Sequence, residues 1–210
     1  MRTILILLLT AGAALSQQTS RIVCGNLVYG KNQTSVCWAE TFLVDAARET
    51  GMEISPKFLR IALAKSEVFK TPICVFTGEG NFTLSEAERK NLRRYLENGG
   101  FVMASPGCSD AGWNRAFQRE IAAVLPDLSF SSIPMDHELF STVFNITEIR
   151  TYSKKVTLQG VHINGRLALL YSPEGLNDAK NAKGCCCCGG AEIKQARQVN
   201  VNALVYALLN

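Results

Sequence analysis

Histidine is scarce in this sequence, which has only two among its 210 residues, His137 and His162. A cysteine nucleophile needs a base, and histidine is the usual one, so a thiol hydrolase has few candidates for that role. The charges are nearly balanced, with 22 basic against 18 acidic residues, and the small excess is scattered. Nucleic-acid binding requires a basic stripe with stacking aromatic side chains. The sequence therefore argues against nucleic acid as a partner.

Long apolar segments are also missing. The apolar run at residues 4–9 is well short of the roughly 20 residues that a bilayer span needs. Arg2 precedes this run, and Ala14 and Ser16 supply the small residues that signal peptidase recognises. This order predicts a secretory signal over residues 1–16, an exported protein that is periplasmic or secreted, and no stable membrane span after cleavage.

The pattern of the remaining chain predicts an α/β fold. Strand-length apolar runs alternate with helix-period segments, which indicates a mainly parallel sheet with helices on both faces, in three layers. The clearest helix lies within residues 83–100, where Thr83 with Glu86, or Ser85 with Glu88, can form a capping box. Residues 156–172 predict a C-terminal hairpin turning at Asn164–Gly165. We expect a single domain over residues 17–210.

Three ordered motifs carry a family resemblance: "TGEGNFTLSEAERKNLRRYLENGGFVMAS", "IPMDHELF" and "INGRLALLYSPEGLND". Together they resemble a bacterial family, domain of unknown function 4159, from about Leu27 to the C-terminus. That resemblance implies a class I glutamine amidotransferase-like, flavodoxin-like sheet, and it implies no activity. Two features depart from the family pattern. Ala104 and Ser105 stand where acidic residues are usual, and the family pattern has no run of four cysteines.

Open α/β sheets bind ligands beyond the carboxyl ends of their strands, and one predicted loop there is "TGEGN". Gly78 and Gly80 let backbone amides approach a ligand, Asn81 lines the same crevice, and Glu79 is a candidate acid or base. The alternative is a strand-to-helix turn that simply needs small residues.

The second such loop is "SPGCSDAGW", in which Cys108 is the candidate nucleophile. The start of the following helix would acidify its thiol. His137, beside Asp136, is the candidate base, and Ser105 and Asp136 are candidate ligand-binding residues.

Other features argue against an amidotransferase-type triad. Asp110 stands where the nucleophile elbow has its second glycine, and Leu139 stands where glutamate follows the histidine. The alternative is that Cys108 is a loop cysteine in a disulfide and that His137 caps or braces a loop. His162, within the hairpin, is interpreted as structural.

All eight cysteines lie beyond the predicted signal, and four of them are consecutive: Cys185, Cys186, Cys187 and Cys188. Outside the cytosol, thiols become disulfides or metal ligands. Adjacent Cα atoms are about 3.8 Å apart, which is short for a disulfide. The run therefore has three interpretations: a site for zinc, copper or an iron–sulfur cluster, a thiol–disulfide redox element, or a staple to Cys24, Cys37 or Cys108.

Geometry restricts the metal interpretation. Four contiguous cysteines do not easily supply all corners of a tetrahedron, and two of them with His137 or Cys108 are easier to arrange. Asn177 and Asp178 are expected to help line the same mouth. Cys24 and Cys74 lie inside apolar strands and are expected to be buried and inert.

The function predicted from the sequence is an exported binding domain without amidotransferase catalysis, leaning away from an enzyme. It would bind a small molecule, a metal or a protein at the strand carboxyl ends, with the cysteine run at the mouth. One alternative is a hydrolase using Cys108 and His137. The other is a thiol–disulfide redox protein.

Overall fold

The computed structural model describes residues 21–31, 33–185 and 192–210. Within these ranges the chain forms a mixed α/β structure with a seven-stranded, mostly parallel sheet and four α-helices. The predicted signal at residues 1–16 and three cysteines of the run, residues 186–188, lie outside the described residues. No helix in the described ranges is long and apolar enough to cross a bilayer.

The strands follow the order β2-β1-β3-β4-β7-β6-β5 across the sheet. Their bounds are β1 Cys24–Val28, β2 Leu59–Ala62, β3 Ile73–Phe76, β4 Phe101–Ala104, β5 Ser131–Ser132, β6 Gln159–Ile163 and β7 Arg166–Tyr171. The first four strands and β7 pair in parallel, whereas β6 and β5 extend the sheet in antiparallel fashion. The strand predicted over residues 128–134 is reduced to the two residues of β5.

The C-terminal hairpin forms between β6 and β7, as predicted. Asn164 and Gly165 have φ of 52° and 80°, the left-handed backbone that a two-residue turn of this kind requires. The register shifts between Val161 and His162.

The four helices are α1 Thr41–Thr50, α2 Glu86–Glu97, α3 Ala111–Val124 and α4 Ala196–Leu209. The predicted capping box forms at Ser85 and Glu88. The Glu88 backbone N–H donates to Ser85 Oγ at 3.3 Å, and the Ser85 N–H donates to the Glu88 carboxylate at 2.7 Å. Glu88 also accepts a hydrogen bond from the Gly30 N–H at 2.9 Å. The cap therefore fixes the loop after β1 as well as the start of α2.

The core has two clusters, because successive side chains of a strand point to opposite faces. In β3, Ile73 and Val75 join a cluster that includes α1 and α4 residues, whereas Cys74 and Phe76 join one that includes α2 and α3 residues. Burying each large apolar side chain contributes about 1.5–3 kcal/mol. Because side chains on both faces of these strands are buried, the strand sequences are continuous apolar runs and not alternating ones.

A buried carboxylate connects α2 to α3. Glu120 is 1% exposed and accepts hydrogen bonds from Arg89 at 2.8 Å and from the Leu84 N–H at 3.2 Å. Arg119 also pairs with it, at 3.2 Å. These donors offset the cost of burying the charge.

Candidate functional site

The loops after β1, β3, β4 and β7 meet at one edge of the sheet, because these strands are parallel and finish on the same side. We call this side the carboxyl edge and the opposite side the amino edge. The two loops singled out in the sequence, after β3 and β4, both lie at the carboxyl edge. The cysteine run follows β7 and approaches the same edge through Cys185.

The backbone of the carboxyl edge is braced by buried hydrogen bonds. The Tyr29 hydroxyl donates to the Thr77 carbonyl at 3.0 Å and accepts from Trp113 Nε1 at 2.6 Å. Burial raises the pKa of Tyr29, so this hydroxyl keeps its proton. The Asn177 side chain donates to Thr77 Oγ1 at 3.1 Å, and its carbonyl accepts from the Ala39 N–H at 2.8 Å. Loops from β1, β3 and β7 are therefore held together around Thr77.

Two glycines allow the loops after β3 and β4 to touch. The Gly107 N–H donates to the Gly78 carbonyl at 2.7 Å. A Cβ on Gly107 would lie 2.8 Å from Glu79 Oε1, and one on Gly78 would lie 2.9 Å from Trp113 Nε1. Such distances are too short for real contacts. Gly78 therefore packs against the core, and Gly107 makes room for the Glu79 side chain.

Cys108 lies in a strained turn between β4 and α3. Its φ is 51° and that of Ser109 is 52°, a backbone region that costs an ordinary residue about 1–2 kcal/mol. Asp110 ends the turn by accepting a hydrogen bond from the Trp113 N–H at 2.6 Å, which caps α3. The turn places the Cys108 sulfur 3.8 Å from Glu79 Oε1. Strain of this kind is concentrated at functional sites.

A disulfide joins the loop after β1 to the loop after β7. Cys37, which is 3% exposed, is bonded to Cys185 with a Cα–Cα distance of 4.7 Å. Cys108 is disulfide-bonded as well. The interpretation of the run as a staple to Cys37 is thus supported for Cys185, whereas residues 186–188 lie outside the described ranges.

Three donor atoms come together at this edge. The Cys37 sulfur, a Glu79 carboxylate oxygen and the Cys108 sulfur all lie within 4.8 Å of one another. In the described part of the chain, this is the one group of three or more Cys, His, Asp or Glu side chains with metal-site spacing. We call Cys37, Glu79, Cys108 and Cys185 the cysteine centre.

The structure does not bring His137 to Cys108. The His137 ring lies 5.9 Å from His162 and 5.6 Å from Tyr206, and His162 pairs with Leu167, the second residue of β7. Leu167 is near the amino edge, and Cys108 lies beyond the other end of the sheet. At about 3.3 Å per residue, the length of β7 separates the two edges by roughly 17 Å. The predicted dyad is corrected accordingly, and Asp136 lies with His137 at the amino edge.

His137 instead braces a loop. Its Nδ1 accepts a hydrogen bond from the Leu139 N–H at 3.1 Å, which caps the 3-10 turn Glu138–Phe140. Burial and the neighbouring His162 lower the pKa of His137. This is the alternative that the sequence left open for this residue.

Other predicted ligand residues have structural roles. Ser105 is fully buried, and its hydroxyl donates to the Ser172 carbonyl and accepts from the Leu176 N–H, both at 2.9 Å. Asn81 accepts from Arg119 at 3.3 Å through its side chain. Gly80, with φ of 71°, supplies the turn between Glu79 and Asn81. Of the candidate catalytic side chains predicted at this edge, Glu79 and Cys108 are in contact.

The two remaining single cysteines are buried and free, as predicted: Cys24 and Cys74 are both 0% exposed. Burial raises the pKa of the Cys74 thiol to about 12 and that of Cys24 well above its usual value. Neither thiol is a reactive group in the native protein.

The sequence did not identify Cys37 as a member of a metal-site group. The one feature of the sequence that could have pointed to Cys37 is its position, because it follows the first strand as Cys108 follows the fourth. Only the parallel pairing of the strands brings both loops to one edge.

These features define a class, a mixed α/β protein whose parallel strands present a cysteine centre at their carboxyl edge. The family model described as Domain of unknown function (DUF4159) matches residues 27–208. The chain therefore belongs to the DUF4159 family, which confirms the resemblance of its sequence motifs. A search among curated proteins found no match.

Proposed function

We propose that this protein is an exported binding domain whose cysteine centre, when reduced, holds a thiophilic metal ion such as zinc or copper(I). The observation that carries the proposal is the approach of Cys37, Glu79 and Cys108 to within 4.8 Å of one another. Each comes from a different loop, so the grouping is a product of the tertiary fold rather than of local sequence.

Export is supported by the signal pattern at residues 1–16. The disulfide between Cys37 and Cys185 agrees with an oxidising compartment.

A three-layer, flavodoxin-like and amidotransferase-like architecture is part of the same proposal. The parallel strands follow the order β2-β1-β3-β4-β7, which is the flavodoxin-like order when β7 is counted as the fifth parallel strand. In that order the connections reverse between β1 and β3, and ligands bind beyond the carboxyl ends at this point. Cys37 and Glu79 follow those two strands, which favours this edge as the binding site.

The donor set suits a soft or borderline metal. A tetrahedral zinc with a Zn–S bond of about 2.3 Å and a Zn–O bond of about 2.1 Å needs a sulfur and an oxygen roughly 3.6 Å apart, and the Cys108 sulfur and Glu79 oxygen are 3.8 Å apart. Thiolates select zinc or copper(I), and a carboxylate is an accepted zinc ligand. Cys185 would supply another sulfur once its bond to Cys37 is reduced.

The centre therefore has two states. In the oxidised state, the sulfurs of Cys37 and Cys185 are bonded to each other and the sulfur of Cys108 is also in a disulfide, so none of the three is a thiolate ligand. Reduction of each of these disulfides by a dithiol or phosphine, which is itself oxidised, takes up two electrons and two protons and gives two thiols. Metal binding then releases the thiol protons.

Binding rather than amidotransferase or hydrolase chemistry is supported by the position of His137. A nucleophile and its base must lie within hydrogen-bond reach, whereas His137 lies at the amino edge beside His162. His162 itself pairs with Leu167 at the same edge. The sequence supplies no further histidine to replace them.

The test is a metal titration of protein purified from an oxidising compartment, with half of it reduced by a phosphine under anaerobic conditions. We expect the reduced protein to bind about one zinc per chain and the oxidised protein to bind almost none. Glu79→Gln and Cys108→Ser should each weaken zinc binding by about tenfold or more. Glu67→Gln, an exposed carboxylate remote from the centre, and Cys74→Ala, a buried thiol, are the matched controls.

Two results would overturn the proposal. One is a reduced protein that takes up no zinc or copper(I). The other is binding that Glu79→Gln and Cys108→Ser leave unchanged, which would assign the metal to residues outside the cysteine centre.

A thiol–disulfide redox function is the second candidate, favoured by the Cys37–Cys185 bond with the sulfur of a further disulfide-bonded cysteine, Cys108, close to Cys37. In this case a dithiol partner would attack the disulfide, pass through a mixed disulfide and leave oxidised, while Cys37 and Cys185 become thiols. An exchange catalyst has a potential between about −270 and −120 mV, whereas a structural disulfide lies below about −300 mV. Equilibration of the protein in glutathione buffers, with intact-mass detection of the reduced and oxidised forms, gives the reduction potential. That potential distinguishes an exchange catalyst from a structural disulfide.

A further inference from the structure

A cavity of about 520 Å³ lies beside the cysteine centre, on the side of the sheet covered by α1. Its wall combines apolar side chains with cations. The apolar members are Val36, Trp38, Val44, Pro56 and Phe58, and the cations are Lys57, Arg60 and Lys183. Glu40 is the one carboxylate among its described lining residues.

The single carboxylate is already engaged. Glu40 accepts a hydrogen bond from the Phe58 N–H at 2.8 Å and pairs with Lys57 at 3.6 Å. Arg60 and Lys183 form no ion pair with any residue in the described ranges. The cavity therefore carries an excess of positive charge that the described residues do not neutralise.

The apolar part of the wall is unusually open to solvent. Val36 and Val44 are 63% and 52% exposed, although both line the cavity next to Trp38. Covering such side chains removes apolar surface from water at about 25 cal/mol per Å². A ligand with an apolar body would gain this contribution.

Two residues that line the cavity each carry a polar atom without a hydrogen-bond partner in the described part of the chain. Trp38 Nε1 and Thr41 Oγ1 are shielded from solvent and have no hydrogen-bond partner within the described ranges. Both belong to residues that line the cavity. A buried donor without a partner is costly, and a ligand acceptor would relieve that cost only after the Trp38 or Thr41 side chain turned toward the cavity.

We propose that this cavity binds a small organic anion that has an aromatic or otherwise apolar body. The body would lie against Trp38, Phe58 and Val44, and the anionic group would face Arg60, Lys57 and Lys183. This site is separate from the metal proposed above, since none of its lining residues belongs to the cysteine centre. It does share a wall with that centre. Cys37 lies between the lining residues Val36 and Trp38, and Cys185 lies two residues after Lys183.

The disulfide consequently tethers one wall of the cavity to the other. The segment that carries Asn181 and Lys183 is joined to the loop of Trp38 through the Cys37–Cys185 bond. Without the bond, Lys183 would no longer be held over the cavity. We expect affinity for an anion to depend on this tether.

The test uses two naphthyl probes, the anionic 8-anilinonaphthalene-1-sulfonate and the neutral N-phenyl-1-naphthylamine, with fluorescence transfer from tryptophan as the readout. Arg60→Gln should weaken sulfonate binding about fivefold or more and leave the neutral probe within about twofold. Arg93→Gln, at an exposed arginine of α2, is the matched control and should change neither. The double variant Cys37→Ser, Cys185→Ser should weaken the sulfonate but not the neutral probe.

A blocking variant locates the probe. Val44→Trp introduces a large side chain into the cavity from an exposed position of α1. It should abolish binding of both probes, and an unchanged helical circular dichroism signal should show that the fold is intact. Unchanged binding of both probes to Val44→Trp would place them elsewhere and overturn the proposal. So would a sulfonate affinity that Arg60→Gln leaves unchanged. Neither result would bear on metal binding, which is read from Glu79→Gln and Cys108→Ser.

Discussion

The sulfur of Cys37 is bonded to that of Cys185, 148 residues further along the chain. This bond connects the loop after the first strand to the loop after the last parallel strand. Glu79 and Cys108, from the two strands between them in the sheet, complete the cysteine centre. The Cys37–Cys185 bond thus links the two outer loops of this group, and the contact between Glu79 and the Cys108 sulfur lies between them.

Reduction of this disulfide should destabilise the protein. A bond that closes so long a loop restricts the unfolded chain and contributes about 2–5 kcal/mol. We expect urea unfolding of the wild type to shift to lower urea when a phosphine is added. The double variant Cys37→Ser, Cys185→Ser should start at the lower stability. A phosphine should lower the stability of this variant less than that of the wild type, because the Cys37–Cys185 bond is already absent and the disulfide of Cys108 is still open to reduction. An equal loss in both proteins would contradict this assignment.

Gly107→Ala should disturb the cysteine centre more than the fold. The added Cβ would meet Glu79 Oε1 at 2.8 Å, and this exposed side chain can move away at little cost. We expect zinc affinity of the reduced protein to fall about tenfold, with the free energy of unfolding changed by less than about 1 kcal/mol.

The control for Gly107→Ala is the same substitution in a Glu79→Ala background. There the displaced carboxylate is absent, so Gly107→Ala should cause no further loss of zinc affinity. Additive losses in the double variant would show that Gly107 acts by another route.

Glu120→Gln should destabilise the contact between α2 and α3. The substitution removes the charge that Arg89 and Arg119 pair with, and hydrogen bonds to charged groups are worth about 1.5–3 kcal/mol. Both arginines keep access to solvent, with side-chain exposures of 38% and 51%, so we expect a loss of about 2 kcal/mol. Chemical denaturation of Glu120→Gln measures it, and the surface variant Glu97→Gln should lose less than about 0.5 kcal/mol.

His137 should make the protein less stable in mild acid. Burial and His162 lower the pKa of His137, against the opposing effect of the Glu138 and Asp136 carboxylates. Between that lowered pKa and the unfolded value near 6.5, the unfolded chain binds more protons, so the free energy of unfolding falls as the pH falls. Protonation at Nδ1 would also remove the acceptor that the Leu139 N–H uses.

The measurement compares the wild type with His137→Asn, in which the amide oxygen can still accept that hydrogen bond. The difference in unfolding free energy between the two proteins should shift in favour of His137→Asn as the pH falls from about 7.5 to below the lowered pKa. A difference that stays constant over this range would contradict the role given to the neutral imidazole.

Periodicity in the sequence was enough to predict a mixed α/β fold with a mostly parallel sheet. The capping box at Ser85 and Glu88 and the turn at Asn164–Gly165 each depend on residues only a few positions apart. Both could therefore be predicted from the sequence. The buried state of Cys24 and Cys74 was also predictable, because both lie in uninterrupted apolar strands.

The membership of the cysteine centre was decided only by tertiary structure. The sequence identified Glu79, Cys108 and Cys185 as separate candidates and considered Cys37 only as a disulfide partner. Parallel pairing of β1, β3, β4 and β7 brings their four loops to one edge, and no local pattern encodes that proximity. The same pairing, with the antiparallel β6, carries His162 and His137 to the other edge. A histidine lies near a cysteine of this edge only if both are at the same ends of the strands. Because the direction of each strand is set when the sheet assembles, the sequence alone does not determine this.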